Sequence, residues 1–482
     1  MSKSIKINYL YSLIGTLAGI LFPLITFPYA SRVMEADGIG QIGFFTSIIS
    51  YISLFTSLGI PIYAIREIAK VRENPKEVNK TVLEILLLHT SLTVIGYIVV
   101  AVLCVTVYKI QLDIPLFLIL SLSVFFNTIG CEWFYKGIED FKYITIRGLI
   151  VRLLYVVLLF TCVHTKSDIL IYALLTVLGT VGNNLFNFYR LRKYVDIKLI
   201  TYRELDVTKH IFPAIRIFAL NLIISMYVNM NTVLIGFMKD NSSVGYYEAA
   251  TKLTNLLLGV TAALQTTMIP RFSYLAQKGS IDEFNSLSQK IMDFVITINL
   301  PISLGLMILS PSLINIFCGH TYQPAILTLE IMSPVILLKS LSGIPCFQIL
   351  YPLGQEKKAI LSTFTGMIAN FVLCIILIPK YSYNGAAIAI VLAEVVVTIT
   401  MFVYGKSYIK IEKYSKHYLN CVVGGILMTT CLIVIRLYIQ GDWINLFLSP
   451  LIGGILYFLY LFIQKDPMVL SVISMIKVKL NK

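Results

Sequence analysis

The chain is predicted to be an all-α integral membrane protein with 14 transmembrane helices. Three observations predict this. First, 57% of its 482 residues are hydrophobic and only 13% are charged, with a mean hydropathy of +0.82. A soluble domain carries about 25% charged residues, so this chain lacks the surface to live in water. Second, apolar runs of roughly 20 residues, the length that crosses a bilayer, follow one another almost end to end. Third, the basic residues alternate between connections.

In order, the runs cover 7–30, 40–63, 82–107, 114–133, 146–163, 168–189, 211–236, 244–269, 290–310, 324–350, 358–378, 384–404, 417–438 and 444–464. The first follows Lys3 and Lys6, as a signal peptide would. It is longer than the roughly 7–15 apolar residues of such a peptide and reads as an uncleaved span. The second connection holds Arg66, Lys70, Arg72, Lys76 and Lys80; the sixth holds Arg190, Arg192, Lys193, Lys198, Arg203 and Lys209. Even-numbered connections and the termini together hold 29 Lys and Arg. The opposite side holds six: Arg32, Lys109, Lys166, Lys239, Lys380 and Arg436. By the positive-inside rule this asymmetry places both termini in the cytoplasm. The net charge of +14 therefore reports topology and anionic lipid headgroups, with no nucleic-acid partner expected.

The eight cysteines show no CxxC or Cys/His metal spacing and read as small packing residues, so no metal is expected. Every connection is short, the longest being about 190–210. No room remains for a soluble catalytic domain, so function must lie between helices. Polar residues recur at steps of three and four in four spans, which keeps each set on one face. The first span has Asn8 and Ser12, the second Ser50 and Ser57, the seventh Asn221, Ser225 and Asn229, and the eighth Glu248, Lys252 and Asn255. Such stripes are either helix–helix glue or the lining of a water-filled cavity. Gly43-Phe44-Phe45 with Pro61 and Arg66, and Gly245-Tyr246-Tyr247 with Pro270 and Arg271, suggest a repeat offset by six spans. Six is even, so the halves would enter the membrane in one orientation, with spans 13 and 14 as additions.

Several stretches are distinctive: Leu24–Arg32 (LITFPYASR), Gly38–Phe45 (GIGQIGFF), Arg66–Lys70 (REIAK), Val244–Ala250 (VGYYEAA) with Lys252, and Met268–Ser273 (MIPRFS). Gly354–Lys357 (GQEK), Asn370, Ile378-Pro379-Lys380, Asn384–Ala387 (NGAA) and Glu394 follow in order. Together they resemble bacterial polysaccharide flippases of the O-antigen, or Wzx, type. The resemblance implies two six-helix lobes around a central V-shaped cavity plus two extra C-terminal helices. The lobes would be residues 1–210 and 211–410, and the extra helices and tail 411–482. It also implies a substrate: undecaprenyl-pyrophosphate-linked oligosaccharide repeat units, moved across the bacterial cytoplasmic membrane for O-antigen, capsule or another surface polymer. Polysaccharide polymerase and glycosyltransferases would be partners.

Four cations lie within spans: Arg152, Arg216, Lys252 and Lys339. Each costs on the order of 3 kcal/mol at a helix centre unless it snorkels or faces a cavity. A hydrated chamber lined by them would replace the water around a diphosphate headgroup. Lys252 follows Glu248 by one turn, so it is either a ligand or half of a pair. Arg216 and Arg152 lie near span ends and could equally snorkel. Lys339 has no acid on its own helix face, since Glu330 is nine residues away on the opposite one, and Glu394 has none within its span. Glu394, Glu330, Asp293 and Glu248 are the candidates for coupling to H+ or Na+; no cofactor is expected. Two alternatives remain. A multidrug-type extruder of the same fold would favour acids over cations in its chamber. A membrane glycosyltransferase or polymerase would use Glu35-Ala36-Asp37 as metal-binding carboxylates, but that loop has only about ten residues.

Overall fold

A computed structural model describes residues 5–196, 204–406, 408, 416–439 and 441–470. Their regular structure is helical, with no strand among the described residues. The chain divides into two compact units, Met1–Gly245 and Tyr246–Lys482.

In the first unit the helices are α1 (Ile5–Ser57), α2 (Ile60–Val71), α3 (Pro75–Thr106), α4 (Tyr108–Gln111), α5 (Ile114–Ile129), α6 (Glu132–Gly137), α7 (Phe141–Cys162), α8 (Ile169–Val181), α9 (Asn183–Leu191) and α10 (Ile211–Met238). Local chemistry sets their starts. Asn74 accepts from the backbone N–H of Lys76 and Glu77, and Pro75 opens α3 where no N–H is needed. Asp113 accepts from Leu116 in the same way ahead of α5. At 53 residues α1 would run about 80 Å if straight, against a hydrocarbon core of about 30 Å. It is interrupted at Glu35, where φ is 54°, and that carboxylate pairs with Lys166. Three further interruptions separate α1 from α2 at Leu58-Gly59, α5 from α6 at Gly130-Cys131, and α8 from α9 at Gly182, the last a 46° bend.

The helix α11 (Asn241–Lys278) begins at the end of the first unit. The second unit continues with α12 (Ile281–Phe317), α13 (Ala325–Met332), α14 (Pro334–Gly343), α15 (Glu356–Gly405), α16 (Lys416–Tyr438) and α17 (Asp442–Ile463). Pro345, which has no N–H to continue the α pattern, lies in a π-helical stretch, Ile344–Leu350, after α14. Ser382, with φ 51°, interrupts the 50-residue α15. One buried cluster joins Phe272, Phe284, Val295 and Ile349; another joins Cys421, Met428, Leu432, Tyr457 and Leu461.

Among the described residues, ten helices are long and apolar enough to cross a membrane, or eleven if the bent pair α8–α9 is one span. This is a multi-pass membrane protein. The runs at 114–133, 168–189 and 324–350 look continuous in sequence, but the structure breaks each. The breaks fall at Gly130-Cys131, at Gly182, and at Ser333 before Pro334, where composition stays apolar while the backbone turns. By the same measure α11 falls short, because Glu248, Lys252 and Asn255 dilute its apolar run.

Two motif glycines make the closest backbone approach in the first unit. A Cβ on Gly40 would overlap the Asn241 carbonyl, and one on Gly245 would overlap the Ala36 carbonyl. Both obstacles are backbone, which cannot swing aside. Gly245→Ala is therefore expected to cost about 2 kcal/mol or more. Gly148→Ala, where nothing lies within 4 Å, should gain up to about 1 kcal/mol from helix propensity alone. Thermal unfolding of the purified variants reads both signs; equal melting of Gly245→Ala and wild type would show the approach is not tight.

Candidate functional site

In the first unit, three helix breaks meet around one cavity of about 320 Å³. Ser57 and Pro61 flank the first break, Gly130–Glu132 the second, and Val181 and Asn183 the third. Transporters place sites at discontinuous helices, because freed backbone groups and side chains gather there. Breaking α5 frees the Phe126 carbonyl, and Asn184 of α9 donates to it at 3.0 Å. A Cβ on Gly130 would lie 2.5 Å from that Asn184 amide, so only glycine lets the amide in. His89 of α3 lines the same cavity and is buried, and neither of its ring nitrogens has a hydrogen-bond partner among the described residues. The Trp133 indole N–H, also at this wall, is likewise unpartnered. A pocket of this size with idle donors suits a polar occupant.

Glu132 and Lys136 of the cavity wall belong to an ion cluster. Glu132 meets Lys136 at 2.8 Å and Arg147 at 3.3 Å. Arg147 is buried and also donates to the Asn187 side chain, while Tyr135 donates to the Asn187 carbonyl at 2.7 Å. A second cluster ties the basic connector to α3. The buried Glu84 takes Lys209 at 2.7 Å, His210 at 2.9 Å and the Asp206 N–H at 2.9 Å. Tyr63 of α2 closes this group on His210 at 2.7 Å. Asp206 also accepts from Thr208, and these hydrogen bonds hold its carboxyl below the usual range.

In the second unit Lys339 of α14 meets Glu394 of α15 at 3.4 Å. The sequence leaves each without a partner inside its own helix; the fold supplies one from a neighbouring helix. Glu394 is 2% exposed, whereas the Lys339 side chain keeps 35% exposure. Glu330 accepts from Ser310 at 3.1 Å, and Asp293 accepts from Gln289 at 2.9 Å. Lys252 is exposed, and the charge of Glu248 acts on it. In the first unit Arg216 is exposed and lies over the Phe212 ring at 5.3 Å. Arg152 is half-buried and donates to the Gly15 carbonyl at 3.1 Å.

The polar stripes are partly open. Ser12 and Asn255 are exposed, and Ser50, Ser57, Asn221, Ser225 and Asn229 are half-buried. Ser50 bonds to the Thr46 carbonyl and Asn229 to Ser225, each within its own helix. The Asn8 side chain lies outside the described residues. Groups outside the stripes also join helices, such as Thr93 with Thr128 and Thr328 with Asn384. Glu35 of the acidic triplet is spent on Lys166, and no three potential metal ligands cluster among the described residues. His89, Glu84 with His210, Glu132 with Arg147, and the buried His417–Asp466 contact at 2.8 Å escaped the sequence reading. Glu84 and His89 stand out only as ionisable residues in an apolar run, and the others sit among the charges of the connections or span ends.

A family profile described as "Polysaccharide biosynthesis protein" matches residues 5–276, more than half of the chain. The chain belongs to that family. It is 25% identical over 408 residues to an Escherichia coli (strain K12) protein named "Putative O-antigen transporter", covering 83% of this chain and 96% of that one. Among solved structures it resembles "Lipid II flippase MurJ, inward closed conformation" with a TM-score of 0.73 at 15% identity, over 95% of this chain and 100% of the other. An inward-facing multidrug resistance MATE family transporter follows at TM-score 0.66 and 16% identity, over 83% and 97%. These two likenesses establish the fold.

The pairing of Lys339 with Glu394 has a measurable consequence. Lys339→Ala leaves a buried carboxylate without its cation, at a cost of about 3 kcal/mol, the low end for buried pairs because Lys339 is partly solvated. Its membrane abundance should fall. The double variant Lys339→Ala/Glu394→Gln should recover it. Normal abundance of Lys339→Ala alone would show that the pair carries no stability.

Proposed function

We propose that this protein is a flippase. In this reading it moves undecaprenyl-pyrophosphate-linked oligosaccharide repeat units from the cytoplasmic to the outer leaflet by alternating access, for surface polysaccharide assembly. One observation carries the reading: the relative named "Putative O-antigen transporter" aligns over 96% of its own length. The physical support comes from the cations. The diphosphate must cross a layer where bare charge is costly. Arg152, Arg216, Lys252 and Lys339 all retain accessible surface, whereas the paired Arg147 is 6% exposed. Accessible cations at depth can exchange water for phosphate oxygens as the headgroup passes.

The proposal takes α1 and α15 as two spans each, divided at Glu35 and Ser382. With α3, α5, α7, α8–α9, α10, α11, α12, α13–α14, α16 and α17 this makes 14. Residues 1–210 and 211–410 would be the two lobes around a central cavity, with 411–482 added and both termini cytoplasmic. Glu394, Glu330, Asp293 and Glu248 would be the groups open to coupling by H+ or Na+. Glycosyltransferases and a polymerase would supply and consume the substrate. Likeness to the multidrug transporter supports a second reading, extrusion of small molecules.

Proteoliposomes separate the two. Fluorescent undecaprenyl-diphosphate oligosaccharide should cross in the presence of the protein, and organic cations should not. Lys252→Gln should slow glycolipid crossing about tenfold, the equivalent of about 1.4 kcal/mol of headgroup attraction, while Lys278→Gln leaves it unchanged. Cation transport without glycolipid transport would favour the extruder.

A further inference from the structure

The first unit holds a second cavity, of about 560 Å³, between α7 and α9. Its two ends differ in chemistry. At the basic end stand Lys142, Arg147, Arg190 and Lys193 with a single acid, Asp140. Away from it the wall is Ile146, Ile150 and Phe186, all exposed. Their exposure, in a chain that spans a membrane, sets them against hydrocarbon.

The two arginines are held in place. Arg190 pairs with Asp140 at 2.9 Å and stacks on the Tyr143 ring at 3.9 Å. Arg147 also faces that ring, at 5.3 Å, and is anchored by Glu132. An aromatic face between two guanidiniums softens their repulsion and keeps both forks at one end of the groove. The two lysines are exposed, and neither enters an ion pair among the described residues. With Lys136 on Glu132, five cations face two carboxylates. The excess is positive, and α7 begins here at Phe141, so the helix dipole adds to it.

We propose that this groove binds one anionic phospholipid of the surrounding bilayer. The phosphate lies among Lys142, Arg190 and Lys193, with the buried Arg147 adding its charge from behind, and an acyl chain runs along Ile146, Ile150 and Phe186. Basic pockets between membrane helices recognise anionic headgroups in this way. Free phosphate would leave the apolar wall uncovered. The proposal does not depend on the transport reading.

Native mass spectrometry of the full chain, released from detergent with added phosphatidylglycerol or phosphatidylcholine, tests it. Phosphatidylglycerol should be retained and phosphatidylcholine should not. The double variant Lys142→Gln/Lys193→Gln should bind phosphatidylglycerol about thirtyfold more weakly, from about 1 kcal/mol per basic residue. Its melting temperature should match wild type, since both side chains are exposed. The control Lys278→Gln/Lys290→Gln removes the same charge in the second unit and should leave binding unchanged. Equal retention of both lipids, or equal loss in the control, would overturn the proposal. So would full displacement by inorganic pyrophosphate, which marks a free-anion site, or by undecaprenyl diphosphate at equal concentration, which marks a substrate site.

Discussion

Inside a hydrocarbon layer, every polar group freed from a helix must find its partner within the protein. The breaks in this chain follow from that constraint. The Phe126 carbonyl would normally receive the Gly130 N–H. The break at Cys131 turns that N–H to Asn127 at a weak 3.4 Å, and Asn184 takes the carbonyl over from another helix. At the end of α10 the Gly236 and Lys239 carbonyls are met by the Lys109 ammonium. Polar side chains therefore collect wherever a helix is interrupted, and a polar cavity opens where three interruptions meet.

Charges obey the same rule with larger stakes. Among the described residues Glu84 meets Lys209 and His210, Glu132 meets Lys136 and Arg147, and Glu394 meets Lys339. The buried Arg147 is surrounded by acceptors and aromatic carbon, which suits it to holding α6, α7 and α9 together. Arg152, Arg216, Lys252 and Lys339 keep open surface. Two of the few basic residues opposite the basic side are also structural. Lys109 caps α10, and Lys166 neutralises Glu35.

Much of the architecture was legible because a span is a local property: an apolar run of sufficient length declares itself. Breaks were less legible. Cys131 adopts φ 43° in a run whose composition gives no warning, whereas Pro334 and Pro345 could have been read as interruptions of 324–350. Of the stripe residues, Ser57 lies on an observed cavity wall. Helical periodicity compares residues only within one helix. The partners of Lys339 and of Glu84 come from other helices, so no spacing argument could reach them.

The motifs that carry the family resemblance turn out to be largely architectural. Gly40 and Gly245 permit a backbone crossing, and Phe44 fills the space left by Gly236. Ile68 of REIAK and Phe272 of MIPRFS are wholly buried in separate cores. In NGAA, Asn384 accepts from Thr328, and both alanines are buried. Residues committed to packing cannot also read a sugar. Motifs of this kind therefore speak to the fold. Asn221, Ser225, Asn229 and Ser50 lie outside those motifs and are half-buried, and Ser50 and Asn229 hydrogen-bond within their own helices, which leaves the motif residues and the polar stripes with different surroundings.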